Sequence, residues 1–299
     1  MLQLRLMDGV IVADKPEGWT SHDAVNKMRR LADTRRVGHL GTLDPMATGV
    51  LPLVIGRATR LAQFYMRGDK TYDAVIRFGY STDTYDRDGK PTSPKTEPEI
   101  NRVRLEEALN SFRGLIHQTP PPISAKKIGG TPAYQLARKN LPVNLKPVEV
   151  TIRNIELAGV DGSRARVVVE CSAGTYMRSM AHDLGEILGC GAFLEGLRRT
   201  VSGEFSLQHA RTIDELAALS AEKRLGEALV PAAQLLPEFP CEIVDRLTAG
   251  QIRQGRDFRV SPFRTRTVTK YVKAVTQEGE LVAIGEVRLP NLYHPCVVL

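Results

Sequence analysis

The sequence predicts an α+β chain: a mixed, mostly antiparallel sheet with flanking helices, an inserted arm and a small β unit at the C-terminus. Three patterns carry that reading. Residues 70–80 alternate, with Tyr72, Ala74, Ile76, Phe78 and Tyr80 on one side and Thr71, Asp73, Val75, Arg77 and Gly79 on the other. That period of two belongs to a half-buried strand. Residues 148–157 and 165–171 read as two more strands joined by a turn at Asp161-Gly162. Between such runs, residues 22–32 and 102–112 carry apolar side chains at helical spacing.

In chain order, the apolar run 10–13 is a short strand, ended by the turn residues Asp14 to Trp19. Thr20 or Ser21 can cap the helix that follows, which buries Ala24, Val25, Met28, Leu31 and Ala32. Its other face and exit carry Lys27, Arg29, Arg30, Arg35 and Arg36, interrupted by Asp33. A charged helix face is often only a solvated one. This one leads into the glycine-rich stretch 38–52, which favours a phosphate-contacting edge. Residues 50–55 read as a buried strand and 57–65 as helix-like.

Residues 81–95 are polar and turn-rich. Segment 114–147, with Pro120-Pro121-Pro122, Gly129-Gly130 and the cations Lys126, Lys127, Arg138 and Lys139, is too poor in apolar residues for a core of its own. It reads as a surface arm that grips a polyanion. A glycine turn at 172–175 leads into a helix that runs to about 188. Residues 201–205 form a strand, and Thr212 caps a short helix. The prolines of 231–240 mark a boundary, so the expected units are 1–236, with the arm near 114–147, and 240–299. The last unit favours short β-type runs, is basic in its first half, and is small enough to need docking on the main body.

The 299 residues suggest about two domains. An apolar fraction of 42% supports a sizeable core. No run approaches the ~20 apolar residues of a membrane span, and no secretory signal pattern opens the chain. The four cysteines are far apart with no C-x-x-C pair, which fits a reducing cytoplasm. A formal net charge of +7 points to a polyanionic partner such as nucleic acid. There is no phosphate-binding glycine motif, dinucleotide fingerprint, H-E-x-x-H or G-x-S-x-G, and the six histidines do not cluster at metal-ligand spacing. Neither a metal nor a cofactor is expected.

A presented aspartate, tyrosines and arginines remain. In GHLGTLDPMATGVLP, residues 38–52, the glycines permit close backbone approach and Pro45 restricts Asp44 to extended backbone. Locally, Asp-Pro is also an ordinary turn. A lone carboxylate can act as nucleophile or base, and an arginine beside it would keep it ionised.

The stretch GHLGTLDPMATGVLPLVIGRATR resembles the nucleophile motif of the tRNA pseudouridine synthase B (TruB) family. Further similarities follow in the family's order: Lys70-Thr71-Tyr72, Ser124-Ala125-Lys126, Gly174 to Arg178, and Leu197-Arg198-Arg199. The tail resembles the family's PUA-type RNA-binding domain. Ile123 departs from the aromatic that often precedes Ser-Ala.

The resemblance implies a pseudouridine-synthase-type fold and an isomerase that converts uridine 55 in the T-arm of tRNA to pseudouridine without a cofactor. It implies Asp44 as nucleophile, Arg178 as its partner, and Tyr72 as the group that stacks on the base and takes part in proton transfer. Tyr176 and Leu197 would line the pocket. His39 would hold the target nucleotide out of the stack, although an ordinary loop hydrogen bond explains His39 equally well. Lys126 and Arg198 are expected on RNA phosphates. The chain would act as a cytoplasmic monomer with no membrane partner. Two other readings stay open: a non-catalytic tRNA-binding or folding protein, and a paralogue guided by a separate RNA.

Overall fold

A computed structural model describes residues 7–123, 127–128, 131–132, 145–261 and 269–299. Most of the expected arm, with Lys126, Arg138 and Lys139, lies outside the described residues. The body is built on one large sheet. Its order is Arg211–Thr212, Gly9–Lys15, Thr48–Ile55, Ala192–Ser202, Lys70–Phe78, Arg164–Cys171, Val148–Asp161 and Gly114–Gln118. Pairing is antiparallel except where Gly9–Lys15 meets Arg211–Thr212 and Thr48–Ile55 meets Ala192–Ser202.

Burial explains how readable each strand is. Gly9–Lys15 and Thr48–Ile55 are covered on both faces and read as continuous apolar runs. Ile11, Leu51 and Leu53 join the core under the helices, while Val10, Val12, Val50 and Val54 join a second core on the opposite face. Lys70–Phe78 has one wet face and alternates residue by residue. On that outer face Asp73 pairs with Arg166 across the sheet. The strand Ala192–Ser202 is longer than the short 201–205 strand expected, because its charged and glycine residues interrupt the apolar pattern of a central strand.

The helix Ser21–Leu31 is capped by Thr20, whose hydroxyl and Asp23 close a reciprocal capping box. The helix Met177–Leu188 ends at Gly189 in the left-handed region. Residues 57–65 form a 3-10 stretch, Gly56–Leu61, followed by one α-helical turn, Ala62–Tyr65, rather than a continuous helix.

The C-terminal unit is a separate five-stranded sheet that also contains a helix, Arg246–Arg253, absent from the sequence reading. Asp245 caps it and Ala249 and Ile252 form its short buried face, a pattern too brief to stand out by periodicity. The unit docks as its size requires. Val275, Leu281, Ile284, Val297 and Leu299 share one core with Val10, Val54 and Leu61 of the body. Phe64 packs edge-on against Tyr271 at 5.2 Å, and Lys273 donates to the Leu235 carbonyl at 2.8 Å.

Gly49 lies at the parallel seam between Thr48–Ile55 and Ala192–Ser202. Its φ is +101°, and a Cβ there would sit 2.2 Å from the Arg199 carbonyl oxygen. Gly49→Ala is therefore expected to lose about 2–4 kcal/mol of stability through strain and overpacking. Denaturant unfolding checks this, and a loss within about 0.5 kcal/mol would mean the seam relaxes freely.

Candidate active site

Asp44 sits on the turn between Val37–His39 and Thr48–Ile55. The backbone around it is held from several sides. Buried Ser21 donates to the Leu43 carbonyl at 3.1 Å and accepts from the Leu43 N–H at 2.8 Å. Lys15 Nζ donates to the carbonyls of Pro16, Trp19 and Pro45 at 2.8, 2.6 and 3.3 Å. The Gly18 N–H also reaches Pro45 O at 2.9 Å. Arg199 donates to the carbonyls of Gly41, Thr42 and Val50.

Arg178, the second residue of the Met177–Leu188 helix, meets Asp44 side-on. Its Nη2 donates to Oδ1 at 3.1 Å. Its Nε lies 2.9 Å from Oδ2, near enough for an ion pair although the N–H points off the line of a hydrogen bond. The guanidinium side chain is 7% exposed and the carboxylate 36%, so the arginine is set in the wall while the aspartate faces outward. Arg178 Nη1 also donates to the carbonyls of Ile123 and Thr84 and lies 3.5 Å from Asp86 Oδ2. Burial raises the Asp86 carboxyl above its usual range, against the pull of Thr84 and Arg178.

The start of this helix is positioned by Gln118. That buried amide donates to the Tyr176 carbonyl at 3.0 Å and accepts from the Tyr176 N–H at 2.8 Å. Residues 173–178 thereby form one wall of a cavity of about 320 Å³, near the lower end of the range for small-molecule sites. Gly41 to Asp44, Met66, Lys70, Tyr72, Leu197 and Arg199 complete it. Lys70, Arg178 and Arg199 against Asp44 leave the lining with an excess of positive charge.

Tyr72 is 8% exposed. Burial raises its phenol above the usual value, while Arg199 acts the other way by charge and hydrogen bond. Burial lowers the His39 imidazole, with help from Arg199 and His22. His39 stands at the end of its strand, its Nδ1 3.4 Å from the Gly41 N–H, and it does not line the cavity. Among the described residues, no group of His, Cys, Asp and Glu side chains is placed to hold a metal ion.

Asp44, Tyr72, Arg178, Tyr176 and Leu197 thus converge on one cavity. Arg198 does not join them. Strand alternation turns it to the opposite face, where it forms a two-pronged ion pair with Asp14 at 2.6 and 3.1 Å. Lys126 lies outside the described residues. Lys15, Asp86 and Gln118 carry no site signal in the sequence, and Lys70 and Arg199 appear there only within motifs, without a role. In the structure Lys15 and Arg199 are cations at core-facing positions of strands.

The fold has counterparts among solved structures. The chain superposes on the archaeal box H/ACA sRNP Nop10-Cbf5 complex with a TM-score of 0.70 and 24% identity, covering 97% of this chain and 82% of that one. It superposes on an H/ACA RNP bound to a substrate RNA containing 2'-deoxyuridine with a TM-score of 0.72 and 23% identity, covering 98% and 84%. These show a shared fold.

The family follows from sequence comparison. Residues 29–177 match the TruB family pseudouridylate synthase N-terminal domain, and residues 178–237 match the tRNA pseudouridylate synthase B C-terminal domain. A tRNA pseudouridine synthase B of Solibacter usitatus is 62% identical over 98% of this chain and 100% of that protein. The Aquifex aeolicus protein of the same name is 39% identical over 94% and 96%. The chain belongs to the TruB family of pseudouridylate synthases.

Burial brings Lys15 down to about 8 from its ordinary 10.5, with Asp44 partly opposing. Between those values the unfolded chain holds the proton and the folded chain releases it, so stability should rise with pH across that window. The rise attributable to Lys15 is on the order of 3 kcal/mol, and Lys15→Met should remove it. Parallel stability curves for the two proteins between pH 8 and 10.5 would show that Lys15 is not the titrating group.

Proposed function

We propose that this chain isomerises uridine 55 in the T-arm of tRNA to pseudouridine, with Asp44 as nucleophile toward a flipped-out uridine. The observation that carries the reading is the Asp44–Arg178 fork at a cavity walled by Tyr72, Tyr176 and Leu197. Its support from relatives is the name tRNA pseudouridine synthase B, borne by proteins that align with nearly the whole chain.

A uridine inside a folded loop must leave its stack before a carboxylate reaches it. The cavity volume and aromatic walls suit one base. Arg178 fixes the orientation of the Asp44 carboxylate from the wall of the cavity. Asp44 bonds transiently to the nucleotide, the C1′–N1 bond breaks, C1′ bonds to C5, and the bond to Asp44 is released. The proton lost from C5 is balanced by one gained at N1, so product and substrate have the same composition. Tyr72, close to both Asp44 and Arg199, is the proton acceptor in this reading. His39 at the loop entrance supports the displaced nucleotide. The C-terminal β unit and the basic exit of the Ser21–Leu31 helix extend the RNA contact.

Asp44→Asn is expected to reduce pseudouridine formation on a T-arm stem-loop by at least about 10³-fold while RNA binding persists. Near-normal turnover would refute Asp44 as nucleophile. Binding by the unmutated chain without any conversion would favour a tRNA-folding protein instead. Modification at a uridine other than 55, mapped on whole tRNA, would refute the site assignment.

Arg30, Arg35 and Arg36 are exposed. Replacing Arg35 or Arg36 by Ala should reduce the salt dependence of RNA binding by about one unit of slope for each phosphate no longer neutralised. Arg198→Ala should change it less, because Asp14 already neutralises that side chain. Equal slopes for all of these proteins would place the phosphates elsewhere.

A further inference from the structure

Arg199 is fully inaccessible to solvent and is the largest of the fully buried side chains. No carboxylate pairs with it among the described residues. Its Nε donates to the Val50 carbonyl at 2.7 Å, Nη2 to Gly41 O at 3.0 Å and Nη1 to Thr42 O at 3.2 Å. The Tyr72 phenol lies near enough to act on its charge. A buried cation without a counter-ion is costly, and an apolar side chain of similar volume would fill the space at less cost. Its retention here calls for work that needs the charge or the fork of donors.

Strand register shows what that work is. Arg199 is directly opposite Tyr72 on one neighbouring strand and Gly49 on the other. Directly opposed residues in an antiparallel pair share a face, so Arg199 and Tyr72 point to the same side of the sheet. From that position the guanidinium also spans the Asp44 turn, reaching Gly41 and Thr42 before the carboxylate and Val50 after it. One planar group therefore holds the Asp44 loop and lies on the Tyr72 side of the sheet, at the same cavity.

We propose that Arg199 is a positioning residue that locks the Asp44 loop and the Tyr72 hydroxyl into a single frame. This rests on the reading of Tyr72 as proton acceptor. The C5–H electron pair restores the ring double bond, and the proton passes to the phenolate oxygen, then to solvent, with N1 gaining its own. The charges acting on the phenol are Arg199, which favours the phenolate, and Asp44 and Cys171, which with burial oppose it. Lys70 adds a further cation on the same strand. Arg199 is the group that acts through both charge and hydrogen bond.

The test is single-turnover pseudouridine formation on a T-arm stem-loop between about pH 7 and 11, which reaches the raised Tyr72 phenol, with RNA affinity measured alongside. The proteins are the unmutated chain, Arg199→Lys, Arg199→Met, Tyr72→Phe and the double variants. Arg199→Met should lose more than about 10-fold in rate with affinity changed less than about 3-fold, and its rate–pH limb should move to higher pH. Arg199→Lys should recover part of the rate and keep the limb near its original place. In a Tyr72→Phe background either substitution should cost much less than alone. Equal losses for Lys and Met with an unmoved limb, or full additivity with Tyr72→Phe, would overturn the proposal. Should Arg199→Met fail to fold, the Arg199→Lys and Tyr72→Phe cycle measures the same coupling: a strongly reduced cost in the double variant supports it, and additivity overturns it. Unaltered rate and pH dependence in Tyr72→Phe alone would instead refute Tyr72 as proton acceptor.

Discussion

The structure depends on how the backbone of one short turn is held. From Gly41 to Pro45, buried polar side chains bind the main chain on both sides of Asp44. Arg199 takes the carbonyls of Gly41 and Thr42, Ser21 takes both polar groups of Leu43, and Lys15 takes the Pro45 carbonyl. Asp44 contributes its carbonyl to a local turn, accepting the Ala47 N–H at 3.0 Å, and turns its carboxylate to Arg178. Side-chain precision of this kind comes from groups that are themselves immobilised. Lys15 and Arg199 are both fully buried and belong to strands of the central sheet.

The electrostatics follow from this anchoring. Arg178 is shared between the outward-facing Asp44 and the more buried Asp86, so its position is set before any substrate arrives. Its carbonyl contacts with Thr84 and Ile123 add directional constraints. The lining cations then exceed its one acidic group. Such a lining makes the local potential positive. These contacts hold the Arg178 guanidinium in one orientation beside Asp44.

The sheet also explains how much was readable in advance. Where a strand has one wet face, as in Lys70–Phe78, alternation reveals it and places Tyr72 inward. Where both faces are buried, as in Thr48–Ile55, an unbroken apolar run does the same. The central strand Ala192–Ser202 hid because it mixes Leu197 and a buried Arg199 with the outward Arg198. Charge was misleading there: adjacent arginines look alike in sequence, yet one holds the active loop and the other pairs with Asp14 on the far face. The helix Arg246–Arg253 hid for a different reason, since two turns bury too few residues to show a period.

By itself the sequence determined the family, the α+β class, the caps at Thr20 and Thr212 and most strands, and it singled out Asp44, Tyr72 and Arg178, which the fold brings to one cavity. These are legible because periodicity and short motifs are local properties of the chain. Only the tertiary structure decided which side chains meet. Asp44 and Arg178 are 134 residues apart, and no local pattern encodes their fork, the sharing of Arg178 with Asp86, or the clasp of Gln118 on Tyr176. The roles of Lys15 and Arg199 belong to that second category. Their charges are visible in the sequence, but their partners are backbone carbonyls, which every residue carries and which only folding brings within reach.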